Sequence, residues 1–327
     1  MRKIVTRLIL PVLCCGLALC MWKFNQTVPA ASYIKWVDFS VTSSAMSDAL
    51  NYDVKSYKTE AHISWIDILA YLSTKYGGDF KRYSKSDINK LTERVENGED
   101  FSDITKDMKN FSYFREAYTA VLGNYVGEYA VRGENGYEVK YGLKVFSPIA
   151  KGYGYAHYDD FGNSRSYGYK RRHLGHDLMG SVGTPVIAVE GGVVEALGWN
   201  QYGGWRIGIR SLDSKRYYYY AHLRKDHPYA KDLSEGDIVS AGDVIGYLGM
   251  TGYSRNENVN NIDKPHLHMG IQLIFDESQK DGTNQIWLDL YELTIFLQKN
   301  RQSVHSVGGG DFERDTGFID SSLIYSE

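Results

Sequence analysis

The stretch Pro265-His266-Leu267-His268-Met269-Gly270-Ile271-Gln272-Leu273-Ile274-Phe275 alternates in character along its length. Successive side chains of a strand point to opposite faces. Leu267, Met269, Ile271, Leu273 and Phe275 therefore form a core-facing stripe, and His266 and His268 share the other face. A strand of this kind predicts a sheet with one side on a core and the other on polar chemistry. Two imidazoles on one face can reach one point, where one binds a metal and its neighbour touches water. His-x-His is short and common, and two unrelated surface histidines fit the bare motif equally well.

The sequence upstream repeats the pattern. Residues 184–189 and 193–197 read as strands around Glu190-Gly191-Gly192, a hairpin signal. Residues 205–210 and 216–223 pair across Ser211-Leu212-Asp213-Ser214-Lys215, and 243–248 make another strand. Short strands joined by glycine turns predict a mostly antiparallel sheet folded back on itself. No glycine-rich loop leads a helix in the way that phosphate binding requires.

Further ligand types stand among these strands. His173-Leu174-Gly175-His176-Asp177 holds an imidazole and a carboxylate four residues apart. On a helix that spacing puts both on one face, although Gly175 and Gly180 suit a turn or loop at least as well. Imidazole and carboxylate are both good zinc ligands, at roughly 2.0–2.2 Å. His176 is a rival ligand within the same stretch. Sequence neighbours rarely point alike, so His176 and Asp177 are not expected to bind together. His222 closes the run Tyr217-Tyr218-Tyr219-Tyr220-Ala221, which places it at a sheet edge or mouth. An imidazole titrates near neutrality and suits a group that holds or moves a proton. Together these residues can hold Zn²⁺ with an open position.

The first part of the chain is of another kind. Ser64-Trp65-Ile66-Asp67 resembles a capping box, with Asp in place of Glu or Gln. Trp65, Ile66, Leu69 and Leu72 follow at helical spacing until Gly77-Gly78. Ile88, Leu91 and Val95 form a second stripe, Phe101, Ile104 and Met108 a third, and Phe114, Ala117, Tyr118, Val121 and Leu122 a fourth. These are packing faces of four short helices within about residues 33–129, and His62 among them reads as structural. Residues 159–168 are polar and glycine-rich, and read as a loop able to line a groove. The tail after Arg301 has Gly308-Gly309-Gly310 and few apolar residues, and reads as poorly ordered.

Composition narrows the class. At 327 residues and 43% apolar content, the chain is long enough for two modest cores and too apolar for wholesale disorder. A net charge of −3 is unlike the basic footprint of a nucleic-acid binder. The 27 tyrosines crowd around the candidate site, where they suit glycan or peptide contact; strand propensity accounts for most of them one by one. Lys3 and Arg7 precede an apolar run at 8–22, and Val28-Pro29-Ala30 follows. This is the pattern of a signal peptide or of an uncleaved membrane anchor. Cys14, Cys15 and Cys20 all lie in that run, so no disulfide framework or thiolate metal site is expected.

The histidine motifs and their flanks, read in order, resemble one family. His173-Leu174-Gly175-His176-Asp177, Tyr220-Ala221-His222-Leu223 and Pro265-His266-Leu267-His268 are similar to the lysostaphin-type (LytM-type) zinc metallopeptidases. Gly183-Thr184-Pro185-Val186-Ile187-Ala188, Gly191-Gly192-Val193-Val194 and the stretch from Gly236-Asp237 to Gly246 resemble it too. The resemblance covers about residues 142–276. It implies Zn²⁺ held by His173, Asp177 and His268, with water in the fourth position. It implies His222 and His266 as the imidazoles that polarise that water and steady the transition state. It implies peptide bonds of bacterial peptidoglycan as the substrate, outside the cytoplasm. The implied architecture is α+β multidomain, a small helical N-terminal domain before a mostly antiparallel β peptidase domain of duplicated hybrid or β-sandwich type. The expected division is 1–30 signal peptide or anchor, 31–132 helical domain of unknown role, 133–300 peptidase domain and 301–327 flexible tail. Two departures stand out. A polar insert runs from Tyr253 to Lys264, and Met269-Gly270 stands where an aromatic and an acidic residue are common.

Two other readings compete. One is a non-catalytic relative that binds wall peptides or a membrane partner; the presence of all five residues speaks against it. The other is a carrier domain with a swinging cofactor arm, suggested by the two Gly-Asp pairs. Such an arm needs a lysine at a hairpin tip, where this chain has Glu190-Gly191-Gly192. The Gly-Asp pairs are better read as turns that bound strands.

Overall fold

The computed structural model describes residues 33–133, 136–167 and 169–320. The segment expected to be a signal peptide or anchor, at 1–30, lies outside them. No helix among the described residues is long and apolar enough to cross a membrane.

Between residues 33 and 129 the helices lie where the stripes placed them, except that the third stops short of Met108 and one helix is added. Helix α1 (Ser43–Ser56) begins at Thr42, whose side chain accepts from the Ala45 amide. Its buried apolar residues are only Ala45, Met46 and Ala49, too few and too small to make a stripe. Helix α2 (Trp65–Tyr76) starts at Ser64, which accepts from the Asp67 amide, and stops at Gly77 in the left-handed region. Its buried face is Trp65, Ile68, Leu69 and Leu72, with Ile66 only half-buried. Helices α3 (Lys85–Glu96), α4 (Phe101–Thr105) and α5 (Phe111–Leu122) follow. Helical structure expected as far as residue 129 ends at Leu122, because strand β1 (Val126–Gly133) follows a short turn later and pairs with β2 (Gly136–Leu143).

That pairing corrects the boundary at 132/133, which falls inside a hairpin. From Lys35 onward the described chain forms one compact unit. The helices are tied to the sheet by buried polar and aromatic contacts. Arg216 donates to the Ala120 carbonyl at 2.7 Å, and the Tyr125 and Tyr218 hydroxyls meet at 3.0 Å. Trp65 stacks on Tyr125 and Phe296.

The main sheet has eight strands. Its order is β11 (Ile238–Val239), β8 (Gly192–Asn200), β9 (Gly204–Ser211), β10 (Arg216–Ala221), β13 (His266–Leu273), β6 (His176–Met179) and β3 (Ala156–Tyr158), with β14 (Ile286–Trp287) also paired to β13. The pairings between these strands are antiparallel. The strand pair expected across residues 211–215 is β9 with β10. The hairpin expected at Glu190-Gly191-Gly192 is not formed: β7 (Pro185–Ile187) pairs with β12 (Val244–Tyr247) and β8 with β9 and β11. Glu190 is the reason. Its carboxylate is buried, accepts from Arg216 at 2.8 and 2.9 Å and from Tyr218 at 2.6 Å, and so draws the turn into the core.

Two segments expected to be irregular are ordered. The polar stretch before His173 carries β4 (Ser164–Tyr167) and β5 (Tyr169–Arg172), an antiparallel pair rather than a loop. The tail after Arg301 forms the hairpin β15 (Val304–Gly308) and β16 (Asp311–Arg314), and β17 (Phe318–Asp320) joins the free edge of β1. The expectation of a flexible tail is thus overturned for residues 301–320. Gly308-Gly309-Gly310 serves that hairpin as its turn. Phe318 buries against Tyr129 and Phe146. Lys144 meets Asp320 at 2.8 Å, and Asp311 accepts from His227 and Tyr247 at 2.9 Å each. A few well-placed contacts hold a segment whose mean polarity suggested none would.

Candidate metal centre and groove

Strand β13 supplies the base of the site. Leu267, Met269, Ile271 and Leu273 are buried, while His266 and His268 face the other way. In the antiparallel register His268 stands directly beside Asp177 of β6. Alternation along β6 sends His176 to the opposite face. There its Nε2 lies 3.0 Å from Nδ1 of His157, and burial pushes its imidazole down to about 4. The rival ligand is therefore outside the cluster. His173 precedes β6 and folds over the same face as Asp177.

Three donor atoms meet. His173 Nε2 is 3.0 Å from Asp177 Oδ1 and 2.9 Å from His268 Nδ1; the last two are 3.0 Å apart. One imidazole, one carboxylate and a second imidazole, mostly withdrawn from solvent, fit a zinc ion with a place left open. Burial alone would raise the Asp177 carboxyl. Hydrogen bonds from His173 and His268 instead hold it below the ordinary carboxylate range. Burial lowers the His268 imidazole against the pull of Asp177, which favours the neutral form that a metal needs.

Support behind the cluster comes from the β4–β5 hairpin and the turn that leads into it. Asp160 Oδ1 lies 2.7 Å from Nδ1 of His173. The two atoms are within ion-pair reach, and neither has a well-aligned hydrogen bond among the described residues. A carboxylate there favours a proton on Nδ1 once Nε2 gives up its own to a metal. Arg165 joins Asp160 to Asp177, with Nη2 3.2 Å from Asp177 Oδ2. Sequence reasoning missed both Asp160, in the turn before β4, and Arg165, on β4, because the whole segment read as a groove-lining loop. It also took Gly175 only as a turn marker. A Cβ there would sit 2.6 Å from Cε1 of His268 and 2.6 Å from the Met269 carbonyl.

Two more imidazoles face the cluster. His222 follows β10 with φ of 60°, and its ring lies 4.8 Å from that of His266 and 5.9 Å from that of His268. His222 Nδ1 donates to the Thr251 carbonyl at 2.8 Å, and His266 Nδ1 donates to the Lys264 carbonyl at 2.8 Å. A carbonyl can only accept, so each ring is fixed in one tautomer and keeps Nε2 for chemistry. The Nε2 of His266 is 3.8 Å from Asp177 Oδ1. Burial pushes His222 well below its usual range, and its histidine neighbours push the same way. All five residues singled out from the sequence thus stand together, three as a donor set and two beside it.

The cluster opens into a groove of about 840 Å³. The tyrosine run divides by alternation. Tyr218 and Tyr220 are buried, with hydroxyls on Glu190 and on the Val189 amide, while Tyr217 and Tyr219 line the groove. The insert from Tyr253 to Lys264 forms part of its wall, anchored where Trp205 Nε1 donates to Asn258 Oδ1 at 2.9 Å and Asn261 donates to the Tyr253 carbonyl at 2.7 Å. Gly270, one of the departures noted above, leaves space for Trp287, whose ring a Cβ at 270 would meet at 2.7 Å.

Residues 171–282 match the model of Peptidase family M23. Over 124 residues the chain is 41% identical to an L-Ala--D-Glu endopeptidase of Bacillus subtilis (strain 168), covering 38% of this chain and 36% of that protein. Over 119 residues it is 37% identical to lysostaphin of Staphylococcus simulans, covering 36% of this chain and 20% of that protein. The matched region thus spans about a third or less of the length of these relatives. A candidate glycyl-glycine endopeptidase lytM from Ruminococcus gnavus ATCC 29149 shares the fold, with a TM-score of 0.54 at 24% identity, over 84% of this chain and 94% of that one.

Proposed function

We propose, on the premise that residues 171–282 form a lysostaphin-type (LytM-type) domain of family M23, that this chain is an exported zinc metalloendopeptidase of bacterial peptidoglycan. Its relatives by sequence are named as endopeptidases, which supports peptide hydrolysis as the reaction class. The observation that carries the reading is the meeting of His173, Asp177 and His268 beside two imidazoles whose Nδ1 protons are already committed.

His173 Nε2, Asp177 Oδ1 and His268 Nδ1 would hold the zinc ion. When bound, zinc would supply Lewis acidity toward a peptide carbonyl and acidify water toward a pKa of about 7. Asp160 fixes the His173 tautomer, and Arg165 steadies both carboxylates. The unprotonated Nε2 of one of the two rings, His222 or His266, would take a proton from the attacking water and return it to the leaving amine, and the other ring, once it carries a proton on Nε2, would donate a hydrogen bond to the developing oxyanion. Tyr217, Tyr219, Tyr253 and Trp287 offer flat walls along which an extended peptide can lie. Wall peptides are outside the cytoplasm, which agrees with the export or anchoring pattern read at residues 1–30.

Mass analysis of muropeptides incubated with the unaltered protein and with His173→Ala tests this. New peptide termini are expected with the first protein only. Equal digestion by both removes His173 from the ligand set. Zinc and wall binding without digestion favours a scaffold.

A further inference from the structure

The groove is more basic than the protein that bears it. Around the donor set it is lined by Arg165, Arg171, Arg172, Arg206, Lys264 and Lys280, against Asp263 and Asp281 beyond the cluster, on a chain of net charge −3. Arg165 is neutralised by Asp160 and Asp177, and Lys280 meets Glu195 at 2.5 Å. Arg171, Arg172, Arg206 and Lys264 have no carboxylate partner among the described residues. A concave wall with an excess of one sign focuses its field on a ligand of the other.

Arg171 is the best placed of the four. It is two residues from His173, on β5. Its guanidinium carbon lies 4.8 Å from the Tyr202 ring centre and 4.9 Å from that of Tyr253, so two aromatic rings hold it. Its Nη1 is buried and has no hydrogen-bond partner among the described residues. Aromatic faces attract a cation but do not fill its donor sites, and a buried donor without an acceptor is costly. Tyr253 also touches His222, with ring centres 5.9 Å apart. One tyrosine therefore separates Arg171 from the imidazole pair, a distance of the order of one or two peptide residues.

We propose that the groove selects a peptide with a free carboxylate next to the bond it cleaves, and that Arg171 receives that carboxylate. A planar guanidinium can bind both carboxylate oxygens, whereas a carboxamide offers one neutral acceptor. This rests on the endopeptidase reading above and adds the charge of the substrate to it.

The test uses two synthetic wall stem peptides that differ at one residue, with a free carboxylate in one and its carboxamide in the other. The zinc-loaded protein is expected to cleave the carboxylate form with kcat/KM higher by about tenfold to a hundredfold, mostly through KM. Added salt narrows that ratio. Arg171→Gln brings the ratio close to one, and Arg171→Lys, which keeps the charge and much of the aromatic packing, leaves an intermediate ratio. Equal cleavage of both peptides by the unaltered protein overturns the proposal, as does a ratio that survives Arg171→Gln. If neither peptide is cleaved, the endopeptidase reading fails by itself. Binding of fluorescent forms of both peptides then decides the carboxylate assignment: tighter binding of the carboxylate form, lost in Arg171→Gln, upholds it, and equal binding overturns it.

Discussion

Gly175 lies against the His268 ring so closely that a Cβ would stand 2.6 Å from Cε1 and 2.7 Å from Nε2. The glycine within the His173–Asp177 segment is thus a steric requirement of the donor set. The backbone between two of its members must pass over the third.

Gly175→Ala therefore displaces His268 or lifts the 173–177 segment. Overpacking of this kind costs about 1–3 kcal/mol, and here the strain falls on the ligands. The variant is expected to fold by circular dichroism, to carry much less zinc by mass spectrometry of the metal, and to lose turnover in parallel. Full zinc occupancy would sink the steric account.

Asp160→Asn tests the support behind His173. Loss of a carboxylate partner to a ligating imidazole typically weakens metal affinity by about 10- to 100-fold. Competition with a chelating dye should show that loss. An unchanged zinc affinity would make Asp160 only a partner of Arg165.

His222→Ala and His266→Ala separate catalysis from metal binding. Each is expected to keep near-stoichiometric zinc and to lose about 10²- to 10⁴-fold in turnover, the usual worth of a placed acid or base. Chelation should abolish activity of the unaltered protein, and added zinc should restore it. Loss of the metal from either alanine variant would move that residue into the ligand set.

Glu190→Gln removes one partner of a buried ion pair. Breaking such a pair costs about 3–5 kcal/mol, because the other charge is left buried. Asp213 stays 2.8 Å from Arg216, so the lower end of that range is expected in denaturant unfolding. A loss below about 1 kcal/mol, the worth of a surface pair, would show that the buried network contributes little.

The C-terminal hairpin should respond to acid. Burial alone would raise the Asp311 carboxyl, but hydrogen bonds from His227 and Tyr247 hold it below the ordinary carboxylate range. A carboxyl lowered on folding adds stability above its unfolded pKa of about 3.9, and that stability is lost as pH falls through the folded value. Amide exchange of residues 304–314, corrected for intrinsic rate, should quicken below about pH 4. In Asp311→Asn the hairpin should exchange faster at pH 7 and lose this dependence.

Residues 265–275 show how far local pattern reaches. Alternation alone placed His266 and His268 on one face, and the strand ends at Leu273, close to where the pattern weakens. Helix α2 was equally legible, from the cap at Ser64 to the glycine stop at Gly77. Helix α1 was not, since alanines bury without making a wide stripe. The tail misled for a related reason: average polarity says little about a segment held by Phe318, Asp311 and Asp320.

The order and kind of the histidine motifs were written in the chain, and so was a strand that separates core from chemistry. These depend on neighbours in sequence and on backbone geometry that repeats every two or four residues. Only the tertiary structure brought Asp177 to His268 across 91 positions, turned His176 away, and set Asp160 behind His173. Those contacts depend on strand register and on which polar groups can share burial, and both are fixed by the packing of the whole domain.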